Sequence, residues 1–234
     1  MSPFFFVLFF VLFLFGGKRI MLPLYFYPQA ILMNIKRNME TIMRKEAETI
    51  LNIVVTDDFE TAINLAMNCL GKVITTGIGK AGFMAQKFAA TLSSTGTASF
   101  FIHPAEAGHG DLGMVNPDDL IFAFSTSGKS IEVIEMLENS RALGVSKIVG
   151  ITSHIDSPLR ELSQVVLDMG GEIEEACPLN LAPSSSIAAM LAISDAIALT
   201  LMELKEFTAE DYGRRHHKGY LGSITRNQHK YDPI

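Results

Sequence analysis

The chain is poor in cysteine and in positive charge. Cys69 and Cys177 are its two cysteines in 234 residues, and they lie far apart. That excludes a disulfide framework and a zinc-ribbon pattern, and it suits a reducing, cytoplasmic compartment. Lysine and arginine number 19 against 25 acids, a formal net charge of −6. A polyanion binder carries a basic stripe, and there is none here, so nucleic acid is not expected as a partner. Internal repeats and low-complexity linkers are missing too. What remains is 48% apolar and 19% charged, a globular composition long enough for one sizeable domain or two small ones.

Long apolar runs are scarce, with two exceptions. Phe4–Phe15 is an unbroken run of 12 residues holding 7 of the 16 phenylalanines. A spanning helix needs about 20 apolar residues, so the run is short. Its length suits a signal-peptide core, but Lys18 and Arg19 follow the run, and no small-residue cleavage site stands out. Three readings stay open: a membrane anchor, a secretion signal, or an over-extended reading frame whose true start is Met33 or Met39. The third fits best, because ordinary soluble composition begins there. Residues 1–38 are therefore set apart as an apolar extension and 39–234 taken as the domain. A membrane is a partner only if the run is genuine. The second exception, Ser184–Leu204, starts behind Pro183 with capping serines and contains Asp195. It reads as a buried core helix, with a place at a subunit interface also open.

Between these runs, helix and strand periods alternate. Residues 35–55 read as a polar amphipathic helix with Ile42, Ala47, Ile50 and Leu51 inward. Thr56 offers an N-cap for a helix ending near Leu70. Strand signals follow at Lys72–Thr76, Ala98–Ile102, Leu120–Phe124, Lys147–Thr152 and Val165–Leu167. Helices are expected at Lys80–Ser94 and Ile131–Leu143, and an irregular wrap after Glu206. Strands alternating with helices predict an α/β domain: a five-stranded parallel sheet inside a three-layer αβα sandwich. In such sheets ligands bind at the carboxyl ends of strands.

Polar clusters lie at those ends. Gly77-Ile78-Gly79-Lys80-Ala81-Gly82 satisfies G-x-G-x-x-G, but a dinucleotide site also needs an acid closing the next strand. Here that strand runs into His103-Pro104, so a tight packing turn is the better reading. Ser125-Thr126-Ser127-Gly128-Lys129-Ser130 sets four hydroxyls and a glycine where a helix begins. Free N–H groups at a helix start favour an anion. Capping needs one hydroxyl, so four read as a phosphate cradle. His103 to Asp111 holds two histidines with acids, and no third metal ligand at convincing spacing. Glu172 to Pro178 is an acidic run before the long helix, where partial burial is expected to raise a carboxyl toward a useful base.

Several stretches together, in order, resemble the sugar isomerase (SIS) domain family, and within it the D-arabinose-5-phosphate isomerases, over about residues 40–222. They are Thr95 to Pro104, His109 to Val115, Glu175-Ala176-Cys177-Pro178-Leu179 with Leu181-Ala182-Pro183 and its serines, and Phe207 to Asp211. The resemblance implies interconversion of D-ribulose 5-phosphate and D-arabinose 5-phosphate for synthesis of Kdo, a lipopolysaccharide sugar. It implies catalytic roles for Lys80, Glu132, Glu175 and His216. It implies substrate contacts from Gly79, Gly96, Thr97, His103, His109, Ser125, Thr126, Ser127 and Ser130, and inhibitory zinc at His103. It also implies a homo-oligomer, expected to be a tetramer, and no cofactor. Three departures stand out: His217-Lys218-Gly219 where Pro-Gly-Gly is usual after the histidine, Lys129 where the turn usually carries glutamate, and a chain too short for paired CBS modules. A non-catalytic sugar-phosphate sensor on the same fold is the rival reading.

Overall fold

The computed structural model describes residues 8–15, 18–25, 34–216, 218, 220 and 222. Two compact units divide at Thr41/Ile42. In the first, β1 (Leu8–Phe15) and β2 (Lys18–Tyr25) pair antiparallel, from Leu8↔Tyr25 to Phe15↔Lys18. The described part of the apolar run is thus one strand of a hairpin.

The second unit holds α2 (Asp57–Met67), β3 (Val73–Gly77), α3 (Gly79–Ser94), β4 (Ser99–Phe101), α4 (Pro104–Ala107), a 3-10 turn at Asp111–Met114, β5 (Leu120–Phe124), α5 (Ile131–Ala142), β6 (Lys147–Thr152), α6 (Pro158–Leu162), β7 (Val165–Asp168), α7 (Ser185–Leu204) and α8 (Ala209–Arg215). A further helix, α1 (Ile35–Leu51), runs across the division between the units. The five strands β4-β3-β5-β6-β7 form one all-parallel sheet, as the alternation predicted. Both faces are covered. Leu120, Phe122 and Phe124 pack with Phe88 of α3 and Ile193 and Ile197 of α7. Ile121 and Ala123, one residue out of phase, pack with Val133, Met136 and Leu137 of α5. A strand buried on both faces explains why β5 reads as an unbroken apolar run. Phe88 meets Phe122 and Phe124 edge-on, at 5.2 and 5.9 Å between centroids. Nine of the 20 residues of α7 are buried, as expected of a core helix.

Two expectations are corrected. α1 stops at Leu51 and has no buried residue; Ala47, Ile50 and Leu51 are exposed and Ile42 half-buried. Its apolar face is real, but the described chain leaves Ile50 and Leu51 on it exposed. The stretch after Glu206 is helical: α8 opens on a capping box in which Thr208 and Asp211 exchange hydrogen bonds.

The strand order places the site. From β3 the chain steps one way to β4, then returns past β3 to β5, β6 and β7. The reversal leaves a crevice between the carboxyl ends of β3 and β5. The glycine turn leaves β3 and the serine turn leaves β5, from paired residues Gly77 and Phe124.

Candidate active site

Gly77 to Gly82 is a packing turn. A Cβ on Gly82 would lie 2.7 Å from the Gly77 carbonyl oxygen, so glycine there lets α3 close onto β3. Gly79 begins α3 and Lys80 is exposed on its first turn, facing no ion-pair partner among the described residues.

The serine turn is built differently. Ser125 is buried, and its Oγ lies 3.0 Å from Ser130 Oγ. Ser130 is the N-cap residue of α5, yet its side chain makes no capping bond. Capping therefore does not account for the hydroxyls. Thr126 and Ser127 are half-buried beside them, and the Lys129 N–H donates to Ser127 Oγ at 3.2 Å. Gly128 has φ +64°, and a Cβ on it would lie 2.2 Å from Ser157 Oγ, so no other residue fits. The hydroxyls stand at the start of α5, where first-turn N–H groups lack intrahelical partners, a combination suited to a phosphate.

His103 follows β4 and precedes α4. It stands edge-on to Phe101 at 6.2 Å, and its Nδ1 is buried without a hydrogen-bond partner among the described residues. His109 is exposed on the same loop. It joins Glu132, on the first turn of α5, in lining a cleft of about 270 Å³ with Pro104, Gly108, Met136 and Asn139. The structure thus brings two predicted catalytic or binding residues together. Among the described residues no three His, Cys, Asp or Glu side chains group as metal ligands, so a single chain offers zinc no complete ligand set at His103.

Glu175 caps α7. Its Oε2 accepts the Ser184 N–H at 2.7 Å, Ser184 Oγ at 3.2 Å and the Ser186 N–H at 3.3 Å, and its Oε1 accepts the Ser186 hydroxyl. Burial works to raise this carboxyl. The Ser186 hydroxyl, the Ser184 and Ser186 amides and the Ser184 hydroxyl outweigh it, and the group lies below its ordinary 4.5. The expectation of a raised pKa is corrected: donors from a helix start stabilise the anion more than burial penalises it. The carboxylate is ionised at neutral pH, and Oε1 keeps a lone pair for a substrate.

Three predicted residues lie apart. Gly96 and Thr97 precede β4, at the amino end of the sheet. Gly96 packs on the Phe207 ring, and Thr97 Oγ1 accepts from Lys205 Nζ at 2.8 Å. His216 ends α8, stacked on Tyr212 at 3.8 Å, with Nδ1 3.0 Å from the Tyr212 carbonyl oxygen. A carbonyl only accepts, so Nδ1 carries the proton and Nε2 offers the lone pair. His217 and Gly219 lie outside the described residues. Thr152, Ser153 and His154, which contact the serine turn, were not expected there. Their signal was the one that marked the other clusters: polar residues directly after a strand.

The SIS domain family matches residues 66–201. The chain is 41% identical to the arabinose 5-phosphate isomerase KdsD of Pseudomonas aeruginosa, over 81% of this chain and 60% of that protein. It is 43% identical to the arabinose 5-phosphate isomerase KpsF of Escherichia coli, over 70% of this chain and 51% of that protein. It therefore spans little more than half the length of these curated relatives. A solved structure from E. coli CFT073, in complex with arabinose 5-phosphate, superposes with TM-score 0.74 and 36% identity, covering 79% of this chain and all of that one (100%). The parallel sheet, the hydroxyl-rich turn in its crevice and a family match over more than half of the sequence agree: the chain belongs to the SIS domain family.

Proposed function

We propose that this chain is an aldose–ketose isomerase interconverting D-ribulose 5-phosphate and D-arabinose 5-phosphate in the cytoplasm, its product feeding synthesis of Kdo for lipopolysaccharide. The observation that carries this reading is the serine turn, whose hydroxyls are not used for capping and which faces the crevice at the carboxyl ends of β3 and β5. The relatives named arabinose 5-phosphate isomerase and the neighbour solved with arabinose 5-phosphate support the choice of pentose phosphate.

The reaction moves a proton between C1 and C2 through a cis-enediol and leaves the overall oxidation state unchanged, so it needs no redox cofactor. Phosphate bound in the serine turn fixes C1 and C2 by remote binding energy. Glu175 Oε1 takes and returns the carbon-bound proton. Its lowered pKa makes it a weak base, so close positioning has to compensate. His216 Nε2, reaching into the site of a neighbouring subunit, opens the furanose ring, and Lys80 and Glu132 polarise and orient the sugar hydroxyls.

Gly96 and Thr97 lie at the amino end of the sheet, and the serine turn at a carboxyl end. One chain does not bring them into one site, so their role as substrate contacts requires a neighbouring subunit. The exposed apolar face of α1, with Ile50 and Leu51, gives such an assembly a surface to bury. We take the oligomer to be a tetramer.

The purified chain should equilibrate D-arabinose 5-phosphate with its ketose and exchange solvent deuterium into ribulose 5-phosphate. A pure sensor binds without exchange. Glu175→Gln and His216→Ala should each lower kcat by about 10²–10⁴-fold. Normal turnover in both variants would sink the assignment.

A further inference from the structure

Four carbonyls of the serine turn are held by donors of the chain itself. The Ser125 carbonyl accepts the Gly128 N–H at 3.1 Å, Gly128 accepts the Leu159 N–H at 3.1 Å, and Ser130 accepts the Ile134 N–H at 3.0 Å. The mid-turn carbonyl is that of Thr126, and four donors converge on it. They are Thr152 Oγ1 at 3.0 Å and the Ser153 N–H, Ser153 Oγ and His154 Nδ1 at 3.1 Å each. A carbonyl oxygen has two lone pairs, so these donors share it and fix its direction. A phosphate dianion is repelled by any carbonyl oxygen pointed at it. A turn that binds one must keep Thr126 turned away.

His154 is the one donor of the four that belongs neither to the turn's own strand ladder nor to a small hydroxyl side chain. Since the Thr126 carbonyl only accepts, Nδ1 carries the proton, a tautomer assigned from this bond. The histidine is itself held: its carbonyl accepts from Arg160 Nε, and Arg160 pairs with Asp168 at the end of β7. Asp168 Oδ1 accepts the Gly170 and Gly171 N–H groups at 2.8 Å each. A continuous chain of bonds therefore runs from the serine turn to the start of the loop carrying Glu175.

We propose that His154 is a positioning residue for the phosphate turn: its Nδ1–H holds the Thr126 carbonyl away from the ligand, so this oxygen does not face the phosphate. This rests on the reading of the turn as a phosphate site and adds a residue outside the acid–base set.

The test compares the full chain as wild type, His154→Leu and His154→Asn. Asparagine sets an amide N–H close to the place of Nδ1. Inorganic phosphate binding is measured by calorimetry, with KM and kcat for ribulose 5-phosphate alongside. His154→Leu should weaken phosphate binding and raise KM together by about five- to tenfold, the order of one hydrogen bond, with kcat changed by less than about twofold. His154→Asn should restore both. Unchanged phosphate affinity in His154→Leu overturns the proposal, and so does equal loss in both variants, which would assign the effect to ring shape. Should the leucine variant fail to fold, the wild type decides: its His154 Nδ1–H resonance should be protected from exchange and move on adding phosphate, and a resonance that ignores phosphate overturns the proposal. A wild type that binds phosphate but isomerises nothing sinks the isomerase reading while the phosphate measurements still decide this one.

Discussion

The serine turn and the histidine loop leave strands on either side of β3, and they are built to opposite standards. In the turn key polar groups have partners within the chain: Ser125 with Ser130, and the Thr126 carbonyl with Thr152, Ser153 and His154. In the loop, His103 Nδ1 is buried without a partner among the described residues and His109 is exposed. Groups that bind are fixed before the ligand arrives, so little ordering is required of the complex. Groups that react must still be open to a ligand or a neighbouring chain. A native protein tolerates an orphaned buried nitrogen, at a cost of about 1–3 kcal/mol, where function gains from it.

The largest break in this comparison should come from Gly128→Ala. It forces a left-handed φ on alanine and drives its Cβ into Ser157. The expected loss is about 2–3 kcal/mol, a fall in thermal midpoint of about 5–10 °C, together with loss of phosphate binding. A variant as stable as wild type would show that the turn is not the rigid half.

A middle-sized effect concerns Glu175, which belongs with the finished groups. Its pKa is lower folded than unfolded. The stability it contributes is therefore complete above the unfolded value and is lost as pH falls through the folded one. Acid titration of unfolding should show wild type losing about 1–2 kcal/mol relative to Glu175→Gln below about pH 4.5. A constant gap between the two proteins across that range counts against the cap.

The smallest effect discriminates best. Ser153→Ala removes a donor from Thr126 and should cost about 1 kcal/mol. His103→Phe removes an orphaned polar atom in favour of a similar shape and should change stability by less than about 0.5 kcal/mol while lowering activity. Chemical denaturation of the two variants reads the contrast directly, and equal losses would erase the distinction between turn and loop.

The sheet was legible because buried parallel strands write themselves as short apolar runs, and β5 and β6 begin and end where those runs do. The serine turn was legible because its hydroxyls are contiguous. His154 was not, since its contact depends on β6 lying beside β5, a neighbour relation no local pattern encodes. The lowered pKa of Glu175 was hidden for the same reason: Ser184 and Ser186 reach it only once the loop folds back onto α7. The exposed side of α1 marks another limit. Helical periodicity reveals an apolar face but not what covers it. α8 did carry a readable sign, the Thr208–Asp211 box, overshadowed by the polarity around it.

The strand order also bears on how the chain is made. The first strand of the sheet to leave the ribosome, β3, ends up inside it, flanked by β4 and β5. The sheet thus grows outward from its middle. Its final borders are β4, three residues long, and β7, four. Borders that short offer few free backbone groups to a stray strand from another chain. The arrangement that opens a crevice for a ligand also leaves a newly made molecule little edge on which to aggregate.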